Sequence, residues 1–214
     1  MKHRRRHIRW IGGGSGGGKS TVARDLAARH GLSVYNSDET ISDHARRSNP
    51  LDHPLLHAFL AMDMDERWVN RSPSVMLETF HGFRGEGFQF IVEDLLALPA
   101  DPPILAEGFR LLPRLVAPLL SRPDQAVWLL PTPELRRMAF EARGFAEEIP
   151  SRTSDPERAL ANLMERDRLF TGRIADEAVA LQLPVIEVDI DKTLEEVRTL
   201  VATALGLEAP GHDR

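Results

Sequence analysis

The stretch Ile8-Arg-Trp-Ile-Gly-Gly-Gly-Ser-Gly-Gly-Gly-Lys-Ser-Thr21 decides how the rest of the chain is read. Within it, Gly13 to Ser20 reads GGSGGGKS and matches the phosphate-binding loop pattern G-x-x-x-x-G-K-[ST] at every position. Its surroundings match as well. The short apolar run Ile8–Ile11 reads as a strand, and Ser20–His30 has the apolar spacing of a helix through Val22, Ala23, Leu26 and Ala27. Such a loop wraps a phosphate with backbone N–H groups, an approach that side chains would block. The helix that begins near Lys19 turns its positive dipole end toward the same anion. Gly13, Gly14, Ser15, Gly16, Gly17, Gly18, Lys19, Ser20 and Thr21 are therefore expected to bind nucleotide phosphates. Lys19 should reach the outer phosphates and the Ser20 hydroxyl should ligate Mg²⁺. A glycine linker would not lie between a strand and a helix.

Around this stretch, 214 residues suit one domain with an inserted lobe. The formal net charge is −5, with basic residues spread along the chain, which argues against nucleic acid as the main partner. The chain has no cysteine, so disulfides, thiolate metal sites and cysteine nucleophiles are excluded. No apolar run approaches the ~20 residues of a membrane span. The basic start Met1–His7 precedes a strand rather than the apolar core of a signal peptide. Those charges read as a solvated lead-in, and a cytoplasmic location without membrane contact is expected.

Leu32–Asn36 reads as a second strand that ends in Ser37-Asp38, ahead of a helix over Glu39–Arg47. In parallel α/β sheets, ligand groups gather at the carboxyl ends of strands. Asp38 is thus expected to orient or deprotonate an acceptor hydroxyl, or to hold Mg²⁺ through water. A helix N-cap is the competing role for Ser37 and Asp38. Between Ser48 and Pro99 no strand is convincing, and helical patterns fall at Leu55–Met62, Ser74–His81 and Gly87–Leu98. This insertion, 48–99, is where an acceptor would be enclosed. Trp68, Arg71, His81, Arg84 and Glu93 are candidates for lining it.

A third strand, Ile104–Ala106, carries Glu107 at its carboxyl end, followed by Gly108-Phe-Arg110. An acidic residue there contacts Mg²⁺ through water or positions the nucleophile. Arg110, projecting from the same edge, is suited to clamp an anionic group on the acceptor. A helix follows at Pro113–Leu120. Gln125–Leu130 reads as the fourth strand, then a helix over Glu134–Arg143. The polar, proline-bearing segment 144–157, with Arg152, suits a lid. A long helix runs from Asp155 to Leu181. Arginines brought in by a closing lid would stabilise charge on a phosphoryl group in transfer, although most of them must form surface pairs. Pro184–Asp189 is the fifth strand and Leu194–Leu205 the last helix, ended by Gly206, before a frayed tail at 208–214.

Five strands alternating with helices, the opening GGSGGGKS, Glu107-Gly108 after the third strand and the arginine-bearing lid together resemble the P-loop small-molecule kinases. The nucleoside monophosphate kinase and shikimate kinase group is the nearest comparison. Ala106-Glu-Gly-Phe-Arg110 is similar to the adenylate kinase segment Asp-Gly-Phe-Pro-Arg, one residue shorter and without the proline, whose arginine holds the acceptor phosphate. Glu165-Arg-Asp-Arg-Leu-Phe170, with Ala175-Asp176, resembles the segment after the lid in shikimate kinases and maps Arg166 onto a substrate-facing arginine. Arg168 stands where that family has proline, and its glycine stretch after the third strand is missing, which argues against a shikimate kinase itself. The resemblance implies the P-loop NTPase fold, α/β with a five-stranded parallel sheet in the order 2-3-1-4-5. It also implies an adenine pocket between Arg137 and the Asp189–Thr193 loop.

The expected activity is ATP- and Mg²⁺-dependent phosphoryl transfer to a small-molecule acceptor, by a chain that could pair as a homodimer. Catalytic roles fall to Lys19, Asp38, Glu107, Arg110, Arg152 and Arg166, and metal contacts to Ser20, Asp38 and Glu107. The choice of base between Asp38 and Glu107 is open at this stage. A nucleoside monophosphate kinase-like enzyme and a nucleotide-dependent regulatory ATPase or switch are the alternatives. A nucleic-acid end kinase is disfavoured by the net charge.

Overall fold

The structure is a computed structural model in which residues 7–142, 144 and 148–207 are described. The expected Arg143, part of the lid segment 144–157 and the tail 208–214 lie outside the described residues. Five parallel strands form one sheet: β1 (Ile8–Gly13), β2 (Ser33–Asn36), β3 (Ile104–Glu107), β4 (Ala126–Pro131) and β5 (Val185–Val188). Their order is β2-β3-β1-β4-β5, as the resemblance implied. All four pairings are parallel, with Trp10 in register with both Ala106 and Ala126.

Strand alternation divides the core into two layers. Ile8, Trp10, Ala106 and Trp128 face one side, against Ile91 and Leu95 of α7 (Phe88–Ala97) and Phe170 and Ile174 of the long helix α10 (Pro156–Ala180). Ile11, Leu105, Val127 and Leu129 face the other, against Val22 and Leu26 of α1 (Lys19–His30) and Val197 and Val201 of α11 (Leu194–Ala204). Asp155 caps α10 by accepting from the Arg158 N–H, and Thr193 and Glu196 close a capping box on α11.

Between β2 and β3 run α2 (Ile41–Arg47), α3 (Pro54–Ala61), α4 (Met64–Trp68), α5 (Pro73–Thr79), α6 (His81–Arg84) and α7. Two expected helices are corrected. The single helix at Ser74–His81 is broken at Phe80, whose backbone is extended at φ −78, ψ 117. That break turns the Phe80 ring into an aromatic cluster with Phe83, Phe109 and Phe59. The helix at Pro113–Leu120 stops at Val116 as α8 (Pro113–Val116) and tightens into a 3₁₀ turn over Ala117–Leu119, because Pro118 has no N–H to continue the ladder. α4 is an addition that the apolar pattern did not announce. α9 (Pro133–Ala142) follows β4. Among the described residues no helix is long and apolar enough to cross a membrane.

Candidate functional site

The loop Gly14–Gly18 joins β1 to α1 and sits at the carboxyl edge of the sheet. Its glycines are required by the neighbours. Gly13 has φ +121, and a Cβ there would lie 2.0 Å from the Leu129 carbonyl oxygen. A Cβ on Gly14 would lie 2.4 Å from Thr171 Oγ1. The loop is thus seated between β4 and α10, with Ser15, Gly16 and Gly18 half-buried and Gly14 and Gly17 buried. Lys19 is buried, and its Nζ donates to the Gly14 carbonyl at 2.8 Å, so the ammonium lies across the loop. Ser20 is half-buried and Thr21 is exposed on the first turn of α1.

The carboxylates expected from the sequence come to the same edge. Ladder-like bonds continue past the strand ends: Ser37 N–H donates to the Glu107 carbonyl at 2.9 Å, and Gly108 N–H to the Ile11 carbonyl at 3.1 Å. Gly108 has φ +142, and a Cβ there would meet Ser37 Oγ at 2.0 Å and Asp38 Oδ1 at 2.6 Å. This close passage holds Asp38 against the end of β3. Asp38 N–H donates to Asn36 Oδ1 at 2.9 Å, so a turn centred on Asn36 aims its side chain. Burial pushes the Asp38 carboxyl up, against the pull of Lys19, the Ser37 hydroxyl, Arg110 and the Phe109 N–H.

Glu107 is 1% exposed, and its carboxylate, beside the Ser20 hydroxyl and Lys19, makes no hydrogen bond of regular geometry among the described residues. Burial raises its pKa, the Ser20 hydroxyl and Lys19 oppose that shift, and Asp38 and Glu39 add to it. Glu107 borders an open hollow of about 480 Å³ with Ser20, Thr21, Arg24, Asn36 and Glu39. A buried carboxylate so sparsely satisfied is costly unless more positive charge shares the site. Ser20, Glu107 and the hollow in front of them suit Mg²⁺, which keeps several waters and takes only one or two protein carboxylates. Among the described residues no three His, Asp or Glu side chains gather as an all-protein metal cage.

The arginines are distributed differently. Arg110 is buried and donates to the Ser37 carbonyl at 3.0 Å and to His44 Nδ1 at 2.8 Å. Behind it, His44 Nε2 meets Asp94 Oδ2 at 2.7 Å, and the Tyr35 hydroxyl donates to the same oxygen at 2.8 Å. Arg166 is buried beside Asp167 Oδ1 at 2.6 Å, with its guanidinium 5.0 Å from the Trp68 ring and 5.1 Å from that of Phe83. Arg152 is exposed in the 3₁₀ turn Pro150–Arg152. Arg137 is exposed and borders a cleft of about 540 Å³ between α9 and α10 with Phe140, Leu160 and Met164.

Sequence reasoning passed over two sets of residues. Arg136 is 1% exposed and donates to Thr171 Oγ1 at 2.6 Å and to the Pro131 carbonyl, bracing the wall beside Gly16. An adjacent Arg-Arg pair gives no sign of which member turns inward. His44 and Asp94, fifty positions apart, carry no local signature and become visible only when α2 and α7 meet. No family model matches this chain, and a search of the curated proteins finds no significant match to it.

Proposed function

We propose that the chain is an ATP- and Mg²⁺-dependent phosphotransferase that moves the γ-phosphate to a hydroxyl of a small-molecule acceptor. One observation carries the reading: the buried carboxylate of Glu107, short of well-formed hydrogen bonds among the described residues, stands beside Ser20 and Lys19 at the mouth of the glycine loop. The loop amides and Lys19 would hold the phosphates of ATP, with the Lys19 ammonium exchanging the Gly14 carbonyl for phosphate oxygens. Bound Mg²⁺ would neutralise charge on the β- and γ-phosphates, held by Ser20 and, through water, Glu107.

The two carboxylates divide the work by position. Glu107 neighbours Ser20, on the cation side. Asp38 also neighbours Lys19, and in addition Arg110 and the Phe109 N–H; Arg110 in turn reaches the Gly87 carbonyl of the helical segment 48–99. Asp38 therefore takes the role of base. The acceptor oxygen bonds to the γ-phosphorus, the bond from that phosphorus to the β-phosphate oxygen breaks, ADP leaves, and the hydroxyl proton passes to Asp38. The chain contributes placement and charge, with no covalent intermediate.

The test is ADP release from Mg²⁺-ATP, followed with and without a panel of hydroxylated acceptors. The expected result is slow basal hydrolysis and a large stimulation by one acceptor class, with the phosphorylated acceptor recovered. Fast hydrolysis that no acceptor changes and a protein partner stimulates would replace this reading with a regulatory ATPase.

A further inference from the structure

Resting on the phosphotransferase reading, we infer that the acceptor is an uncharged polyhydroxylated molecule, such as a nucleoside or sugar, with one hydroxyl seated between Arg110 and His81. Where the helical segment meets Arg110, a cavity of about 10 Å³ is lined by His44, Leu56, His81, Glu86, Phe90 and Arg110. That volume admits one water-sized group and excludes a phosphate. A hydroxyl fits its chemistry. Arg110 keeps a buried Nε–H without a partner, and the His81 ring, 6% exposed, makes no hydrogen bond among the described residues. Glu86 is already committed, accepting from the N–H groups of Leu55 and Leu56. Burial and the Arg110 charge hold His81 neutral, with its pKa lowered to about 4, so the imidazole adds no positive charge to attract an anion.

The charge inventory of the surrounding helices points the same way. Segment 48–99 has no lysine and three arginines, Arg67, Arg71 and Arg84. Arg67 donates to the carbonyls of Phe59 and Leu60, Arg71 to the Glu66 carbonyl and Thr79 Oγ1, and Arg84 pairs with Glu78. The Arg110 charge is itself opposed by Asp38 and Asp94. A phosphate or carboxylate on the acceptor would need a bidentate arginine or an ammonium; Arg67, Arg71 and Arg84 already make internal hydrogen bonds or ion pairs, and Arg110 has one N–H left to give, which suits a hydroxyl. A nucleoside monophosphate is disfavoured on that ground.

The experiment measures binding and transfer separately. Wild type and His81→Phe, which keeps a ring against Phe80 and Phe59, are titrated calorimetrically with paired probes in the presence of Mg²⁺ and a non-hydrolysable ATP analogue. The pairs are adenosine and AMP, and glucose and glucose 6-phosphate; transfer from ATP is scored in parallel. One neutral member should bind, its phosphorylated partner should bind at least tenfold more weakly, and His81→Phe should weaken the neutral member at least tenfold, the worth of one buried hydrogen bond. The affinity of the variant for the ATP analogue reports that it is folded. Tighter binding of a phosphorylated member, binding of neither member, or a neutral ligand indifferent to His81→Phe would each overturn the proposal. A neutral ligand lost in the variant but never phosphorylated would leave the hydroxyl site standing and remove the phosphotransferase reading alone.

Discussion

Glu107 poses the sharpest question at the scale of single residues, because its ionised form is buried beside the Ser20 hydroxyl and Lys19 with no well-formed hydrogen bond among the described residues. Its raised pKa means that the folded protein binds a proton there more readily than the unfolded chain does. The cost of the charge is absent at pH below the ordinary glutamate range and is complete above the raised value. Glu107→Gln should therefore stabilise the metal-free protein at neutral pH by about 1–3 kcal/mol, the usual cost of a buried unsatisfied group. The gain should shrink as the pH falls toward 4, which denaturant titrations at several pH values would show. A variant that is less stable than wild type at neutral pH would mean that Glu107 has a partner. Asp38 separates from it by function. Asp38→Asn should lower kcat by about 10²–10⁴-fold while leaving ATP affinity nearly unchanged. In wild type the acid limb of the rate profile should lie above the ordinary aspartate pKa of about 3.9, because burial raises this carboxyl. That limb should vanish in the variant; its survival would assign the base elsewhere.

At the scale of elements, legibility followed the range of the interaction. The glycine loop, the strands and α1 are set by local pattern, so Gly13–Ser20, Asp38 and Glu107 were legible as one edge of a parallel sheet. The break at Phe80 was not, because it depends on an aromatic cluster assembled from α3, α6 and the turn after β3. Arg166 has the same history. The resemblance implies a substrate-facing arginine, and the contacts of its guanidinium are with the Trp68, Phe80 and Phe83 rings and with Asp167, which is 2% exposed. That setting ties α10 to α4 and α6. Arg166→Ala should cost roughly 3–5 kcal/mol, since it strands a buried carboxylate. Arg166→Met combined with Asp167→Leu should recover much of the loss. Equilibrium unfolding of the three proteins decides the matter. A single variant with wild-type stability and a collapsed kcat would give Arg166 a part in the reaction, as the resemblance implies.

For the whole molecule, the sheet order placed Ser20, Asp38 and Glu107 on one edge, and the remaining question is how the chain responds when that edge is filled. Lys19 lies across the loop on the Gly14 carbonyl, and Glu107 faces an open hollow with Ser20, so both charges have partners to gain from Mg²⁺ and nucleotide phosphates. A ligand that binds only the folded chain stabilises it by RT ln(1 + [L]/Kd), about 2.7 kcal/mol at a hundred times Kd. For a chain of this length each kcal/mol moves Tm by roughly 2–4 °C, so a non-hydrolysable ATP analogue with Mg²⁺ should raise Tm by roughly 5–10 °C. The rise should fall sharply when the metal is chelated, because the triphosphate then meets Glu107 without the cation between them. In Glu107→Gln the dependence on chelation should weaken, since the carboxylate that repels a bare triphosphate is gone. Lys19→Met should abolish most of the shift with and without metal. A shift of equal size in chelator and in Mg²⁺ for wild type would separate the nucleotide from the Glu107 hollow and remove the metal from the proposed site.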